Sequence, residues 1–331
     1  MKKYKCLDKQ VFGIAEYQLV PIRDEDRFLI MQWRNDQIYH LRQKDLLTPR
    51  QQDLYFKNVV SKLLDQDQPD QLLFSFLKKD ICIGYGGLVH LNWIDKNAEV
   101  SFVMDTSFEA KKFVSLWSLF LTLLKQVAFK ELDLHKMYTY AFDLRPKLYE
   151  ALSLSGFISE GRLKDHCIVN SIFYDVLFHS CINPLHNLSI REVKNEDSAL
   201  LLKWRNDPHV RKYAFNTNEI ERDSHKEWFR KKLIDKRCKM FIFETKQGHP
   251  VSQVRLEKKD EDWILNYSVD KHFRGIGLGK IVIEKSVSMI ANGKFRAFVK
   301  PINYASIKTF QKLKFKSVLN NDNYFEFISV M

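Results

Sequence analysis

The pattern of apolar and polar positions predicts elements of regular structure in both halves of the chain. Residues 262–270, DWILNYSVD, are rich in aromatic and β-branched side chains, which is typical of a strand. Residues 280–291 place apolar side chains at 283, 287 and 290, the spacing of one face of a helix. Residues 295–315 predict a further strand followed by a further helix. In the first half, the apolar run 113–124 is shorter than the roughly 20 residues that span a bilayer, so we expect a buried helix there.

Three glycines lie close together between the predicted strand and helix. Gly275, Gly277 and Gly279 alternate with larger residues, and this density indicates backbone torsions or a close approach that a Cβ would prevent. Because the loop leads into a helix, its N–H groups and the helix N-terminus point at one spot, which favours a phosphate ligand. The spacing differs from the G-x-G-x-x-G of dinucleotide sites, and Arg274 and Ile281 replace the first glycine and the hydroxyl residue of a P-loop.

The pattern that remains is R-x-x-G-x-G, which resembles the coenzyme A pyrophosphate loop of the GNAT superfamily of N-acetyltransferases. A later motif of that superfamily is matched at four positions: Asn303, Ser306, Lys312 and Phe315. Two positions depart from the motif. Phe310 replaces the tyrosine that protonates the leaving thiolate in many members, and Lys314 replaces a glycine. The acetyl-CoA site is therefore expected to be intact, whereas the identity of the acid stays open.

This resemblance implies direct transfer from acetyl-CoA, the co-substrate, to an amine, with no metal. It implies a donor site formed by the strand edge, the loop and the helix that follows: Tyr267, Ser268, Val269, Arg274, Gly275, Ile276, Gly277, Leu278, Gly279, Lys280, Asn303 and Ser306. Asn303 is the best-supported polar residue for a catalytic role. The general base stays open among five nearby candidates: Glu257, Glu261, Asp262, His272 and Tyr304. His225 is expected to order helices on the acceptor side.

An internal repeat indicates two domains of one plan. The tetrapeptide Trp-Arg-Asn-Asp at 33–36 recurs at 204–207, and FVMDTSF at 102–108 matches YSVDKHF at 267–273. We predict an α/β (α+β) protein of two tandem GNAT-like domains, each a mixed, mostly antiparallel sheet flanked by helices. Their expected bounds are 14–180 and 187–331.

The first copy lacks the glycine loop. Its corresponding residues are Phe108-Glu109-Ala110-Lys111-Lys112-Phe113-Val114, whose side chains and acidic Glu109 oppose a pyrophosphate, and Arg145 stands at the position of Asn303. We predict that this domain does not bind acetyl-CoA. It serves instead as a scaffold, a lid or an intrachain pseudo-dimer partner; the oligomeric state stays open.

The acceptor is expected to contact the segment that opens with the tetrapeptide. Residues 204–229 resemble acetyltransferases that act on nucleotide-linked 4-amino sugars in pseudaminic and legionaminic acid routes, and ribosomal-protein N-terminal acetyltransferases open similarly. The candidate substrate residues are Trp204, Arg205 and Asn206, which offer an apolar platform, a phosphate-binding fork and an amide. The alternative is that Trp204 is a core residue and that Arg205 and Asn206 only join helices.

Charge and cysteine content narrow the remaining possibilities. The net charge of +12 fits a lysine-rich surface or anionic ligands, and basic and acidic residues alternate, so neither nucleic acid nor a membrane is expected as a partner. Five scattered cysteines favour a reducing compartment, and we expect a soluble cytoplasmic protein with no signal peptide. Two alternatives to an amino-sugar acetyltransferase stay open: an enzyme acting on protein N-termini or small amines, and a non-catalytic acetyl-CoA sensor or interaction module.

Overall fold

The structure is a computed structural model that describes residues 2–291, 293–319 and 324–329. Contacts divide the chain into two units, Met1–His186 and Asn187–Met331. Each unit is one sheet flanked by helices. Among the described residues, each sheet contains one parallel pair of strands, and the other pairs are antiparallel. The predicted fold class of two mixed, mostly antiparallel sheets is confirmed.

The first unit contains eight strands within residues 2–186. In chain order they are β1 (Phe12–Ile14), β2 (Tyr17–Pro21), β3 (Leu72–Lys78), β4 (Ile81–Asn92), β5 (Asn97–Met104), β6 (Lys136–Phe142), β7 (Ile158–Val169) and β8 (Ile172–Ile182). In space their order is β1-β2-β3-β4-β5-β6-β8-β7. Its helices are α1 (Arg27–Asp36), α2 (Pro49–Tyr55), α3 (Ser61–Leu63), α4 (Glu109–Lys125) and α5 (Pro146–Leu154).

Short non-α turns extend or introduce several of these helices. The π-helical segments are Phe56–Val60, between α2 and α3, and Gln126–Glu131, which continues α4. The 3-10 turns of the first unit are Asp24–Asp26, Ile38–His40 and Thr106–Phe108. The continuous helical stretch Thr106–Glu131 is long and apolar enough to cross a membrane, yet 78% of its most apolar window is buried within the protein. It is the core helix of the first unit, as predicted for its apolar run.

The second unit repeats the plan, with seven strands among its described residues. They are β9 (Leu188–Glu192), β10 (Cys238–Thr245), β11 (Pro250–Lys259), β12 (Asp262–Val269), β13 (Lys294–Val299), β14 (Lys316–Leu319) and β15 (Phe325–Ile328). In space their order is β14-β15-β13-β12-β11-β10-β9. Its helices are α6 (Ser198–Asn206), α7 (Pro208–Tyr213), α8 (Arg222–Ile234), α9 (Leu278–Ser288) and α10 (Tyr304–Lys312), with 3-10 turns at Asn195–Asp197 and Lys271–Phe273.

The predicted strand and helix around the glycine loop are present with small shifts. The strand predicted at 262–270 is β12, and the helix predicted at 280–291 is α9, which begins at Leu278 and ends at Ser288. The earlier start has a backbone cause. Gly277 takes a left-handed conformation (φ 99°) and serves as the N-cap, so the helix begins directly after it.

In both units the tryptophan of the repeated tetrapeptide is buried and the asparagine forms the same pair of hydrogen bonds. Trp33 and Trp204 are buried in the cores of their units, 4% and 3% exposed. The amide of Asn206 donates to the carbonyl of Ile220 (2.8 Å) and accepts from its N–H (2.9 Å). Asn35 forms the same two bonds with Leu47, at 2.9 and 2.8 Å. Each asparagine therefore ties the end of the following loop back to its own helix.

The final residue of the tetrapeptide caps the next helix in the second unit. The carboxylate of Asp207 accepts hydrogen bonds from the N–H groups of His209 and Val210, both 3.1 Å, at the start of α7. The indole of Trp204 donates to Asp270 (2.8 Å), whose second oxygen accepts from the N–H of His272 (2.9 Å). These bonds connect the tetrapeptide to the turn that leads into the glycine loop.

Removing an asparagine tie is expected to destabilise its unit. In Asn206→Ala, the N–H and carbonyl of Ile220 lose their side-chain partners, and we expect a loss of about 1–3 kcal/mol in the free energy of unfolding. Urea unfolding followed by circular dichroism measures this loss. Asn218→Ala, at an exposed position of the same loop, is the matched control. Equal stability of the two variants would contradict the structural role of Asn206.

Candidate active site

The two central strands of the second unit separate after a short paired stretch. β12 and β13 run parallel and pair at three positions: Asp262 with Lys294, Trp263 with Phe295 and Ile264 with Arg296. The rest of β12, including Tyr267, Ser268 and Val269, pairs with β11 but has no ladder to β13. Main-chain groups on this unpaired edge can accept an extended ligand in the manner of an added strand.

The glycine loop begins where this open edge ends. Gly275 and Gly277 have φ angles of 85° and 99°, which residues with a Cβ rarely adopt. Between and after them, Ile276 and Leu278 are each 1% exposed. The apolar side chains therefore anchor the loop in the core, and its bare main chain leads into the N-terminus of α9. This arrangement has the donors and the helix dipole that bind a phosphate.

Arg274 holds the loop rather than extending freely from it. Its Nε donates to the carbonyl of Val269 (2.9 Å), and its Nη2 lies 3.0 Å from a carboxylate oxygen of Asp207. The sequence predicted a cofactor role for Arg274, and the structure shows it joining the strand, the loop and α7. Lys280, in the first turn of α9, is exposed and pairs with Glu284 at 3.4 Å.

The last glycine of the loop makes room for a tyrosine. A Cβ at Gly279 would lie 3.1 Å from the ring of Tyr267, whereas a Cβ at Gly277 would meet nothing within 4 Å. The hydroxyl of Tyr267 is 3.1 Å from Oγ of Ser306, on α10. Burial raises the pKa of Tyr267, so this hydroxyl keeps its proton at neutral pH. Gly279, Tyr267 and Ser306 therefore meet at the end of the open strand edge.

Asn303 caps α10 and, among the described residues, keeps a free donor, whereas Phe310 is buried in the core. The side-chain oxygen of Asn303 caps α10 by accepting from the N–H of Ser306 (3.2 Å), and its Nδ2 has no hydrogen-bond partner in the described part of the chain. Phe310 is 1% exposed and packs against Phe315 and Phe327. Phe310 is thus a core residue, and the amide of Asn303 retains a donor.

The candidate bases occupy varied environments. Glu257 is ion-paired with Lys232 (2.9 Å) and Arg255 (2.6 Å), and Asp262 is paired with Arg296. Glu261 and Tyr304 are exposed, and His272 is 7% exposed. His225 is buried between rings of α8, and burial lowers its pKa, so it is a neutral core residue. The general base therefore stays open among these candidates.

A cleft of about 490 Å³ lies beside the open edge of β12. Its lining combines aromatic, charged and amide side chains, among them Phe215, Arg255, Glu257, Asn266 and Phe298. Ile264, the last paired residue of β12, also lines it. The cleft thus reaches the point where β12 and β13 separate.

Of the predicted substrate residues, Arg205 is the one with an unpaired donor, because its Nη1 is buried without a hydrogen-bond partner among the described residues. Trp204 is a core residue and both amide groups of Asn206 are used by Ile220, which agrees with the structural alternative for these two. Arg205 donates to the carbonyl of Asn216 (2.7 Å). Burial, together with the charges of Arg211 and Arg255, lowers the pKa of Arg205.

Sequence reasoning missed Arg255 and Phe215, which line the cleft, and Arg211, whose charge acts on Arg205. The alternating pattern of β11 puts Arg255 on the same face as Glu257, so the sequence alone could have predicted that these two side chains are neighbours. Phe215 lies in an irregular loop, so no periodicity could have placed it.

The first unit keeps the separated strands but not the loop. β5 and β6 pair at three positions, ending with Glu99 opposite Tyr138. The residues that correspond to the loop of the second unit form the first turn of α4, which begins at Glu109 directly after a 3-10 turn. Arg145 precedes α5 at the position of Asn303. Because this segment has no glycines, it folds as a helix. The structure therefore has no phosphate loop at this place, as expected.

Among the described residues, no group of three or more His, Cys, Asp or Glu side chains could hold a metal ion. The five cysteines are free thiols.

The separated strands, the glycine loop and the capped helix define the acyl-CoA-binding fold of an acetyltransferase. Models of the acetyltransferase (GNAT) domain match residues 187–316 and 19–178, each through a different GNAT subfamily. The chain belongs to the GNAT acetyltransferases and carries two of their domains in tandem. It is an acetyl-CoA-dependent N-acetyltransferase of an amine.

Solved structures of similar fold cover about half of the chain. Spermidine N-acetyltransferase from Vibrio cholerae, in complex with CoA and spermine, is 20% identical, with a TM-score of 0.44 over 51% of this chain and 97% of that one. A dodecameric structure of the same enzyme gives 20% identity and a TM-score of 0.43 over 52% and 97%. A probable acetyltransferase gives 18% and 0.41 over 52% and 96%. No curated protein sequence matches the chain.

Blocking the loop is expected to abolish donor binding. In Gly277→Glu, a carboxylate enters the open space beside the loop, and we expect calorimetric titration of acetyl-CoA to change from one site per chain to none. Gly248→Glu is the matched control, because Gly248 also has a positive φ (79°) and open space at its Cβ. Both variants carry similar backbone strain, but the control lies in a turn between β10 and β11. Loss of binding in both variants would mean that strain, not the loop, is responsible.

Proposed function

We propose that the second unit transfers an acetyl group from acetyl-CoA to a primary amine of an acceptor that also carries an anionic group. A nucleotide-linked amino sugar, which supplies both an amine and a diphosphate, is the acceptor that we favour. The supporting observation is a cluster of three guanidinium groups, Arg205, Arg211 and Arg255. They are close enough that the charges of Arg211 and Arg255 contribute to lowering the pKa of Arg205, and Arg255 lines the cleft.

These arginines lack enough partners for their charge. Nη1 of Arg205 and Nε of Arg211 are buried without a hydrogen-bond partner among the described residues. Glu219 pairs with Arg211 at 3.5 Å, and Glu257 is shared between Arg255 and Lys232. Buried donors of like charge are costly unless an anion satisfies them, and the planar guanidinium fits phosphate well. A polyamine acceptor would meet repulsion at the same place.

The donor would lie along the open edge of β12, with its pyrophosphate at Gly275–Gly279. Main-chain groups near Tyr267, Ser268 and Val269 would pair with the pantetheine arm, and Asn303 Nδ2 could donate to it. The neutral amine attacks the thioester carbonyl, the carbon–sulfur bond breaks, and the thiolate takes a proton. Positioning of two bound substrates supplies much of the rate, so none of the cysteines needs to act as a nucleophile.

Tyr267 is the proton donor that we favour for the leaving thiolate. Phe310 cannot supply a proton, whereas Tyr267 carries a hydroxyl, and its ring lies edge-on to that of Phe310 at a centroid distance of 6.1 Å. Ser306 keeps this hydroxyl oriented. Because burial raises its pKa, Tyr267 stays protonated and can act as an acid.

Two further readings follow from different observations. Acetylation of a protein N-terminus or small amine would suit the net charge of +12 if the target is anionic. A non-catalytic acetyl-CoA sensor would explain Phe310, but it leaves the arginine cluster without a role. Five free thiols favour a cytoplasmic enzyme.

Removing one arginine is expected to separate the acceptor classes. We expect Arg255→Gln to raise KM for a UDP-linked 4-amino sugar by about 10-fold or more, because a charge-assisted hydrogen bond is lost. KM for the free amino sugar should change little. Steady-state thiol release measures both values, and Arg230→Gln, at an exposed position of α8, is the control. An unchanged KM for the UDP-linked sugar in Arg255→Gln, together with turnover of spermidine by the wild type, would favour the polyamine class instead.

Loss of the tyrosine hydroxyl is expected to slow the chemical step. We expect Tyr267→Phe to lower kcat by about 100-fold while the calorimetric affinity for acetyl-CoA stays within about threefold, since general acid catalysis contributes 10²–10⁴. Tyr304→Phe tests the exposed hydroxyl at the start of α10. If Tyr304→Phe rather than Tyr267→Phe lowers kcat, the assignment of the acid is wrong.

A further inference from the structure

The first unit has a cleft of its own, although its phosphate loop is missing. The cleft has a volume of about 530 Å³ and lies where β5 and β6 separate. This volume is within the range of small-molecule sites in proteins. All of its lining residues belong to the first unit.

The cleft contains a guanidinium group that is short of partners. Arg145 lines it, and its guanidinium forms no hydrogen bond with the described residues. Its ion pair with Oε1 of Glu109 spans 3.9 Å, which is longer than a hydrogen bond, and Oε1 is itself buried without a hydrogen-bond partner there. The ring of Phe113 lies 5.5 Å from the guanidinium carbon. A largely buried cation in this state is suited to an oxyanion that accepts two parallel hydrogen bonds.

A second polar group in the cleft is also unsatisfied. Thr139, on β6, is 3% exposed, and its Oγ1 has no hydrogen-bond partner in the described part of the chain. Thr139 lines the same cleft as Arg145. Buried hydroxyl groups are paired in most proteins, so an unpaired one beside a cleft points to a ligand.

The other two arginines of the cleft already have partners. Arg42 pairs with Glu99 and lies over the ring of Tyr140, 4.7 Å from its centroid. Arg34 donates to the hydroxyl of Tyr85 (2.6 Å) and to Gln43 (2.9 Å). Three arginines therefore line a cleft with two carboxylates, Glu99 and Asp70, and Arg145 is the arginine with unfilled donors.

The walls of the cleft are aromatic. Phe102 and Trp117 meet edge to face at 5.0 Å, and Tyr140 lies on the opposite strand. Trp117 is at the position of Val282 in the second unit, so this wall is bulkier than its counterpart. Such walls suit a flat, apolar body rather than a long flexible arm.

We propose that the cleft of the first unit binds a small molecule that joins a carboxylate or phosphate to a flat ring, with the oxyanion on Arg145 and a donor group on Thr139. Coenzyme A does not fit this description, because Glu109 and the first turn of α4 replace its pyrophosphate loop. The site is independent of the activity proposed for the second unit, and its test is binding, not turnover.

Calorimetric titration of the full chain tests this site with four probes: uridine monophosphate, adenosine monophosphate, L-phenylalanine and inorganic phosphate. We expect at least one of the first three to bind with a Kd below about 1 mM. Arg145→Gln should weaken that probe by about 10- to 100-fold, and Arg50→Gln, an exposed arginine of the same unit, should not. The nucleotides and the amino acid distinguish a phosphate from a carboxylate. Binding of inorganic phosphate as tightly as any of them would overturn the requirement for a ring.

Thr139→Val gives a second test whose expected result cannot be caused by a folding defect. Valine has nearly the shape of threonine, so removal of the unpaired hydroxyl should leave the melting temperature unchanged or raise it, while the bound probe weakens about 3- to 10-fold. The proposal is overturned if no probe binds, if neither Arg145→Gln nor Thr139→Val alters the binding, or if Arg145→Gln removes a second acetyl-CoA site. Binding that is instead lost in Arg255→Gln would assign the probe to the second unit, which overturns it equally.

Discussion

The short pairing of the two central parallel strands is the constraint on which both units depend. A sheet gains from every ladder bond, and in each unit the two central strands nevertheless stop pairing after three positions. The main-chain groups beyond that point are left at an edge inside the sheet, with a cleft alongside. Each of the two clefts described above reaches the place where this pairing ends, and it is lined by residues of the strands, helices and loops around the separation.

Backbone torsion then makes the two copies different. In the second unit, Gly275 and Gly277 adopt positive φ angles and turn their main chain outward. In the first unit, side chains at the same positions favour a helical turn, and Glu109 stands at its start. One copy therefore offers N–H donors to an anion where the other offers a carboxylate. The same framework therefore forms a candidate donor site in the second unit and a cleft with different electrostatics in the first.

Much of the framework could be predicted from the sequence, because local pattern determined it. The strand, glycine loop and helix around Gly277 depend on periodicity and on torsions that glycine alone accepts readily, and the repeated tetrapeptide revealed two units. The roles of Trp204 and Asn206 were harder to predict. A tryptophan buried in the core and an asparagine bonded to its own loop look the same in a sequence as residues that contact a ligand. The grouping of Arg205, Arg211 and Arg255 brings together residues from α6, α7 and β11, and no local signal encodes such a meeting. The same holds for Thr139 and Arg145, whose missing partners are visible only in three dimensions.

The asparagine ties have a consequence for how this framework can diversify. Asn35 and Leu47 are 12 residues apart, whereas Asn206 and Ile220 are 14 apart, and the same pair of hydrogen bonds closes both loops. Within these loops lie Arg42 in one copy and Phe215 in the other, each lining the cleft of its unit. Because each loop is closed on its own helix, added residues change the cleft wall and leave the sheet register alone. Changes in the length or sequence of this loop can therefore alter which molecules the cleft accepts, while the sheet and helices that support the loop stay the same.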